Sequence, residues 1–155
     1  ILGTPQFMSP EAIVDPTTVD GRADIYALGA TAFFMLTGSH AFQGNNIVEI
    51  CSKHLHEEPA APSMRRKGIP EAIDSIVLSC LAKKPEDRPR DVKHLGEMLR
   101  SAGVPEWTDE EAAAWWEAHG PSLARPAADE SGRASTLEQT IAVAAEDRIG
   151  VPTSA

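Results

Sequence analysis

The first stretch whose residue types could take part in chemistry is the hydroxyl-bearing loop Gly3-Thr4-Pro5, close to the beginning of the chain. Glycine permits unusual backbone angles and proline fixes its own φ, so the threonine between them sits in a tight loop. Ser9 and Pro10 follow and have the types expected of an N-cap and a first helical residue. Taken alone, the Gly-Thr-Pro tripeptide predicts only a turn.

Histidine and cysteine could also bind or react, but their spacing argues against it. His40, His54 and His56 have no carboxylate or cysteine in an arrangement typical of metal ligands, so we expect surface residues and no metal site. Cys51 and Cys80 are the two cysteines of the chain, and we expect buried thiols rather than a disulfide.

The charge distribution disfavours nucleic acid as a partner. The 155 residues include 23 acidic side chains against 14 Lys and Arg, which gives a net charge of -9. A phosphate backbone would be repelled by such a chain.

No apolar run approaches the roughly 18 residues that a membrane span needs. No signal-peptide pattern is present, so we expect a cytoplasmic protein without a membrane segment.

Helical spacing of apolar residues dominates residues 1–103 and no segment alternates as a strand would, so an all-α fold is predicted. The segment 23–36 lacks a polar face, and we expect a helix that is buried on all sides and ends at Gly38. Three more helices are predicted: one from Asn45 or Asn46 to about Leu55, with Ile47, Ile50 and Cys51 facing inward; one that opens at Pro70, with Ile73, Ile76, Val77, Cys80 and Leu81 at helical spacing; and one marked by Val92, Leu95, Met98 and Leu99 and ended by Gly103.

A further helix is predicted by a capping box. Thr108 pairs with Glu111 at its start, acidic residues fill its first turn, and Gly120 is expected to end it. Its tryptophans form an apolar side that we expect to dock on the domain, because isolated helices this short are marginal. Residues 121–155 are predicted to be a disordered acidic tail. The tryptophans are Trp107, Trp115 and Trp116.

Three segments, in this order, resemble motifs of serine/threonine protein kinases. GTPQFMSPEA, residues 3–12, resembles the end of the kinase activation segment. DGRADIYALGATAFFMLTGSHAF, residues 20–42, resembles the central buried helix, with wording most similar to the bacterial branch. CLAKKPEDRPR, residues 80–90, is similar to the late segment that ends in Asp-Arg-Pro. The resemblance covers about residues 1–101 and implies the C-terminal half of a kinase helical lobe.

The resemblance implies a substrate-binding role for the first loop. Gly3, Thr4 and Pro5 match the kinase loop that receives the substrate residue after the phosphorylated serine or threonine. Thr4 matches the threonine that hydrogen-bonds the catalytic aspartate and lysine in this family. Phe7 departs from the usual tyrosine, so it can still pack but lacks a hydroxyl group.

The resemblance also implies structural roles for three charged residues. Glu11 and Arg88 match the buried ion pair of the family, and a pair of this kind costs about 3–5 kcal/mol when one partner is removed. Asp24 matches the helix aspartate that accepts backbone N–H bonds from the catalytic loop. The alternative for Asp24 is an exposed first-turn aspartate favoured by the helix dipole.

Several kinase elements have no match in the chain. These are the glycine-rich phosphate loop, the strand lysine, His-Arg-Asp and Asp-Phe-Gly. We therefore expect a truncated, inactive piece with no catalytic residue of its own, made of a partial kinase domain at 1–101, an accessory helix at 102–120 and a tail at 121–155.

The expected cofactors and partners belong to the intact parent kinase. ATP and magnesium are expected to bind that parent and not this chain. The missing N-terminal half of the domain and Ser/Thr-containing protein substrates are the expected partners. A non-catalytic interaction module, or a pseudokinase-like fragment acting through the tryptophan helix or the tail, stays open as the alternative.

Overall fold

The computed structural model describes residues 4–105 and 107–123, and within these ranges every regular element is helical. The chain divides into two compact units, Ile1–Glu106 and Trp107–Ala155. None of the helices in the described ranges has both the length and the apolar character needed to cross a membrane. The α-helices are α1 (Pro10–Val14), α2 (Arg22–Thr37), α3 (Ile47–His56), α4 (Pro62–Arg65), α5 (Glu71–Cys80), α6 (Val92–Ser101) and α7 (Asp109–Leu123), with short 3₁₀ turns at Pro5–Phe7, Pro16–Thr18 and Pro85–Asp87.

Helix α2 is the centre of the first unit, as predicted. It lies between two apolar clusters, one containing Tyr26, Phe33 and Phe42 and the other containing Ile25 and Leu95. The helix ends where Gly38 adopts a left-handed conformation with φ 72°, which glycine reaches without a Cβ penalty. The predicted stop at Gly38 is therefore confirmed.

The prediction that α2 is buried on all sides is wrong. One exposed face is formed by Asp24, Leu28, Thr31 and Met35, and Met35 is 75% exposed. Residues spaced by three and four lie on the same side of a helix. Among residues 4–105, the neighbours of α2 cover its other sides and leave this mixed face, with the apolar Leu28 and Met35, exposed.

Helices α2 and α5 meet in close backbone contact. A Cβ atom added at Gly29 would lie 2.6 Å from the Cβ of Cys80, a distance that real side chains do not adopt.

Cys80 is 2% exposed, and burial raises the pKa of its thiol to about 11. Cys51 is also buried, and both cysteines are free thiols, as predicted.

Helix α3 begins at a side-chain cap and buries one face. Asn46 Oδ1 accepts a hydrogen bond from the Glu49 N–H at 2.9 Å, which selects Asn46 from the two predicted caps. Ile50 and Cys51 are buried as predicted. Ile47 is 39% exposed and not inward-facing, because it is the first residue of the helix and has no preceding turn to cover it.

His54 is not a surface residue, which corrects the sequence-based expectation. Its side chain is 0% exposed, its Nδ1 lies 2.8 Å from the Tyr26 hydroxyl oxygen, and the edge of its ring meets Phe42. Burial lowers the pKa of His54 to about 4, with the nearby Lys83 charge acting in the same direction. His40 is half-buried and only His56 is exposed, so of the three histidines one fits the expectation.

Helix α5 follows its predicted apolar pattern, whereas α6 follows its own only in part, because two of its predicted apolar positions are exposed. Asp74, Ile76, Val77 and Cys80 are buried along α5. Asp91 caps α6 by accepting a hydrogen bond from the His94 N–H at 2.7 Å, and Leu95 is buried. Val92 and Leu99 remain exposed on α6. A four-residue helix, α4, forms in the proline-containing segment between α3 and α5.

Helix α7 in the second unit begins at the predicted capping box. The Glu111 N–H donates to Thr108 Oγ1 at 3.2 Å, and the Thr108 N–H donates to a Glu111 carboxylate oxygen at 2.8 Å. The predicted end at Gly120 is wrong, since the helix runs through Pro121 to Leu123. Glycine and proline weaken a helix by about 1 and 3 kcal/mol without forbidding it. Residues 124–155, most of the predicted tail, lie outside the described residues.

The close contact at Gly29 leads to a stability prediction. Gly29→Ala should lower the free energy of unfolding of the full chain by about 1–3 kcal/mol, because the new methyl group overlaps Cys80. Urea denaturation followed by far-ultraviolet circular dichroism measures this change. The matched control is Gly96→Ala in α6, where the nearest atom to an added Cβ is Arg100 Nη2 at 3.6 Å. The control should gain up to about 1 kcal/mol of helix propensity. Equal losses of unfolding free energy in both variants would contradict the close contact between Gly29 and Cys80.

The buried His54 leads to a prediction about pH. The unfolded histidine takes up a proton near its ordinary pKa of 6.5, whereas the folded one does so only near pH 4. Stability is therefore retained above pH 6.5 and falls as the pH drops from 6.5 towards 4, by at most about 1.4 kcal/mol per pH unit. His54→Asn should flatten this slope in denaturation series across the interval. His56→Asn, at an exposed position of the same helix, should keep the slope, and an unchanged slope in His54→Asn would refute the assignment.

Candidate functional site: the Thr4 loop and its buried ion pair

The loop at the start of the described chain has an exposed threonine and a buried proline. Thr4 has an extended backbone, and its side chain does not cap the 3₁₀ turn Pro5–Phe7. The turn is closed by the Phe7 N–H, which donates to the Thr4 carbonyl oxygen at 3.1 Å. Thr4 is thus exposed to solvent at the start of a hydrogen-bonded turn. Gly3, the other predicted residue of this loop, lies outside the described residues.

Aromatic contacts hold the loop against α2. The Phe7 ring meets His40 edge-on at a centroid distance of 5.4 Å, and His40 stacks on Phe34 of α2 at 4.8 Å. Burial lowers the pKa of His40, which favours its neutral form in this stack. Phe7 also packs against the main apolar cluster, so the phenyl ring serves here without a hydroxyl group.

Helix α1 follows the loop and presents Glu11 to Arg88. Ser9 Oγ accepts a hydrogen bond from the Ala12 N–H at 3.4 Å, and Pro10 is the first helical residue, as predicted. The two Arg88 Nη atoms then donate to the two carboxylate oxygens of Glu11 at 2.7 and 2.8 Å. The predicted contact across 77 positions of sequence is present in bidentate form.

The Arg88 guanidinium has hydrogen-bond acceptors for all its donors. Its Nε donates to the Ala82 carbonyl at 2.8 Å, one Nη donates also to the Arg22 carbonyl at 2.9 Å, and the other donates to the Lys83 carbonyl at 3.1 Å. With the two bonds to Glu11, these use the five N–H donors that arginine possesses. The group also lies over the Tyr26 ring, 4.9 Å from its centroid. One side chain therefore joins α1, α2 and the segment after α5.

Burial makes this ion pair structurally demanding. The Arg88 side chain is 0% exposed and that of Glu11 is 15% exposed. Burial acts to raise the pKa of Glu11, but the hydrogen bonds and charge of Arg88 outweigh it, and the pKa is lowered. The carboxylate thus stays ionised beside its partner. Removal of either residue would leave the other buried charge without compensation.

Asp24, the third predicted structural residue, stands apart from this pair. Its side chain is exposed in the first turn of α2, and within the described ranges no donor reaches its carboxylate. It lines a polar cleft together with Asp20, Arg90 and Asp91. Arg22, its neighbour, forms an exposed ion pair with Asp20 at 2.8 Å. The role that the resemblance implies for Asp24 stays a prediction.

Sequence reasoning missed Lys83 as a structural residue. Its Nζ donates to the His54 carbonyl at 2.9 Å near the end of α3 and lies 4.3 Å from the centroid of the Phe42 ring. Burial lowers the pKa of Lys83 to about 8. Nothing in the KKP segment distinguishes Lys83 from Lys84, so only the packing could reveal the structural role of Lys83.

The described residues contain no group of three or more His, Cys, Asp or Glu side chains arranged to hold a metal ion.

The helical fold, the central helix and the bidentate pair are the features expected of a protein-kinase helical lobe. A family model described as "Protein kinase domain" matches residues 1–98, and the chain belongs to this family.

Individual relatives place the match among bacterial enzymes. The serine/threonine-protein kinase PknB of Mycobacterium leprae is 41% identical over 88 residues, which are 57% of this chain and 14% of that protein. PknB of Mycobacterium tuberculosis is 40% identical over the same shares. PksC of Streptomyces coelicolor, also a serine/threonine-protein kinase, is 36% identical over 88 residues, or 57% of this chain and 16% of that protein. The matched region thus spans a small part of each relative.

The buried pair predicts strong coupling between two distant residues. Glu11→Ala and Arg88→Ala should each lower the free energy of unfolding by about 3–5 kcal/mol, because each strands the other charge. The double variant should cost clearly less than the sum of the two. Chemical denaturation of the four proteins of the cycle measures this coupling.

The control for this cycle is Arg90→Ala, two positions away. The Arg90 side chain in its pair with Asp91 is 73% exposed, so its removal should change stability little. Additive and small effects of the Glu11 and Arg88 substitutions would show that the pair is not buried in solution.

Proposed function

We propose that residues 1–101 serve as the helical platform of a serine/threonine protein kinase and present its substrate-docking loop. The bidentate pair between Glu11 and Arg88 carries this proposal, since Arg88 joins α1, the helix that follows the Thr4 turn, to the Arg22 carbonyl at the start of α2. In this role Gly3, Thr4 and Pro5 receive a substrate polypeptide beside the serine or threonine that is phosphorylated. The family match and the kinase names of the relatives support it.

The nucleotide chemistry is proposed to require an additional part of the domain. Phosphoryl transfer depends on groups that cradle the triphosphate, hold Mg²⁺ and accept the substrate proton. The sequence 1–155 contains no match to the glycine-rich loop, His-Arg-Asp or Asp-Phe-Gly segments. An N-terminal half of the kinase domain would supply ATP and Mg²⁺ binding, and the exposed face of α2 would meet it. We also propose that the intact kinase phosphorylates protein substrates and is located in the cytoplasm.

The proposal predicts that the platform works when it is joined to a nucleotide-binding half. A chimera would fuse the kinase-domain region of Mycobacterium leprae PknB that precedes the matched segment to residues 1–155 of this chain. It should transfer radiolabelled phosphate from ATP to a generic basic protein, in a Mg²⁺-dependent manner. The 155-residue chain alone should not. A folded chimera without activity, or a chain that is active alone, would contradict the proposal.

Thr4 provides the sharper test in the same chimera. Thr4→Ala should lower kcat about 10- to 100-fold, the expected loss for a hydrogen bond to charged groups in the reacting complex. Thr4→Ser keeps the hydroxyl and should retain most activity. Thr18→Ala, which removes an exposed threonine hydroxyl outside the loop, is the matched control and should leave kcat unchanged. Equal activity of Thr4→Ala and Thr18→Ala would exclude the assigned role.

A further inference from the structure

The second unit presents a cluster of aromatic side chains that the kinase platform does not use. The cluster comprises Trp107, Trp115, Trp116 and His119. Trp107 and Trp116 are 62% and 60% exposed, and Trp115 is 37% exposed. Aromatic surface of this extent on a polar helix marks an interaction site rather than a scattered exposure.

The cluster is organised by contacts among its own rings. Trp115 meets Trp107 edge-on at 6.2 Å and 85°, and it meets Trp116 at 5.1 Å and 89°. His119 stacks on Trp115 at 4.8 Å and 17°, and its Nδ1 lies 2.9 Å from the Trp115 carbonyl oxygen. Since Trp115 touches all three partners, it holds the exposed faces of Trp107 and Trp116 in fixed directions.

The capping box fixes the position of Trp107 relative to the helix. The reciprocal bonds between Thr108 and Glu111 define the first helical turn, and Trp107 is the residue directly before the cap. Because the cap holds the first turn together, Trp107 can contact Trp115 from outside the helix while that turn stays helical. The cluster is therefore ordered before a partner arrives, which lowers the entropy cost of binding.

The charges around the cluster select the partner. Segment 107–123 contains Asp109, Glu110, Glu111 and Glu117 and no Lys or Arg. Indole faces carry the negative side of the ring quadrupole and attract cations, and Trp is the strongest of the aromatic residues in this respect. Carboxylates and indole faces thus both favour a positively charged partner. The carboxylates also repel the phosphate groups of nucleic acids and anionic lipids.

The shape of the surface favours a peptide over a small ion. Trp115, Trp116 and His119 lie on the outer surface of the 15-residue helix α7, and Trp107 lies just before it, whereas small-molecule sites are concave and enclose their ligand. Guanidinium groups stack flat on aromatic faces and pair with carboxylates at the same time. We propose that the aromatic cluster of α7 binds an arginine-rich segment of a partner protein, with Trp107 and Trp116 each stacking on one cationic side chain.

The test uses intrinsic fluorescence of the full chain, because all three tryptophans of the protein belong to this cluster. The probe is a synthetic peptide with alternating arginine and glycine, titrated at low and at physiological salt. We expect saturable change of tryptophan emission with the arginine peptide and none with the matched glutamate–glycine peptide. Equal response to both peptides, or no response to either, would overturn the proposal.

Charge-neutral variants separate cation stacking from simple attraction to an acidic protein. Trp107→Leu and Trp116→Leu keep the net charge and should each weaken arginine-peptide binding about 2- to 5-fold. Glu110→Gln and Glu117→Gln should weaken binding and reduce its salt dependence. Unchanged affinity in both leucine variants would overturn the proposal, and circular dichroism confirms that each variant keeps its helix.

Two further arms identify other occupants of the surface. Phosphatidylcholine vesicles should not shift the emission, and a blue shift with vesicles but not with the arginine peptide would assign the cluster to a lipid surface and overturn the proposal. Dilution of the chain without peptide should leave the tryptophan emission unchanged. Emission that depends on protein concentration would show that a second copy covers the cluster, and this would also overturn the proposal.

Discussion

The guanidinium of Arg88 is a positive charge without exposure to water, and the arrangement of the first unit depends on how that charge is compensated. Arg88 donates two hydrogen bonds to the Glu11 carboxylate in α1, one to a carbonyl of α2 and two to carbonyls that follow α5. Because a buried charge without partners is strongly unfavourable, these elements can adopt few other relative positions. The pair therefore acts as a geometric constraint more than as a source of net stability.

This constraint explains how a short loop keeps a defined shape. The turn at Pro5–Phe7 is three residues long and has little core of its own, but the Glu11 carboxylate fixes the backbone on one side and the Phe7–His40–Phe34 stack fixes it on the other. A docking loop for polypeptide must keep its position while substrates change, so rigidity supplied from the lobe suits the proposed role. The exposed residues Leu28 and Met35 of α2 are the surface that the proposed additional part of the kinase domain would contact.

Local rules predicted much of this structure from the sequence. The caps at Ser9 and Thr108, the helix end at Gly38 and the inward residues of α5 depend on neighbours in sequence, and the structure confirms each. The Glu11–Arg88 contact could be predicted only through resemblance to a family, since no local pattern joins residues so far apart. Composition failed for α2, because apolar residue types do not reveal which sides of a helix its neighbours cover. His54 was missed although its spacing from Ile50 and Cys51 places it on the buried face of α3. Lys83 gave no local signal at all.

Five hydrogen bonds should immobilise the Arg88 guanidinium and keep it away from water. Proton–nitrogen NMR of the full chain tests this most directly, with the Arg88 signals assigned by their loss in Arg88→Lys. Slow rotation and slow exchange with water should give Arg88 a protected Nε–H signal and separate Nη–H signals, while exposed Arg90 gives averaged ones. An averaged, rapidly exchanging signal for Arg88 that cannot be distinguished from that of Arg90 would contradict the account.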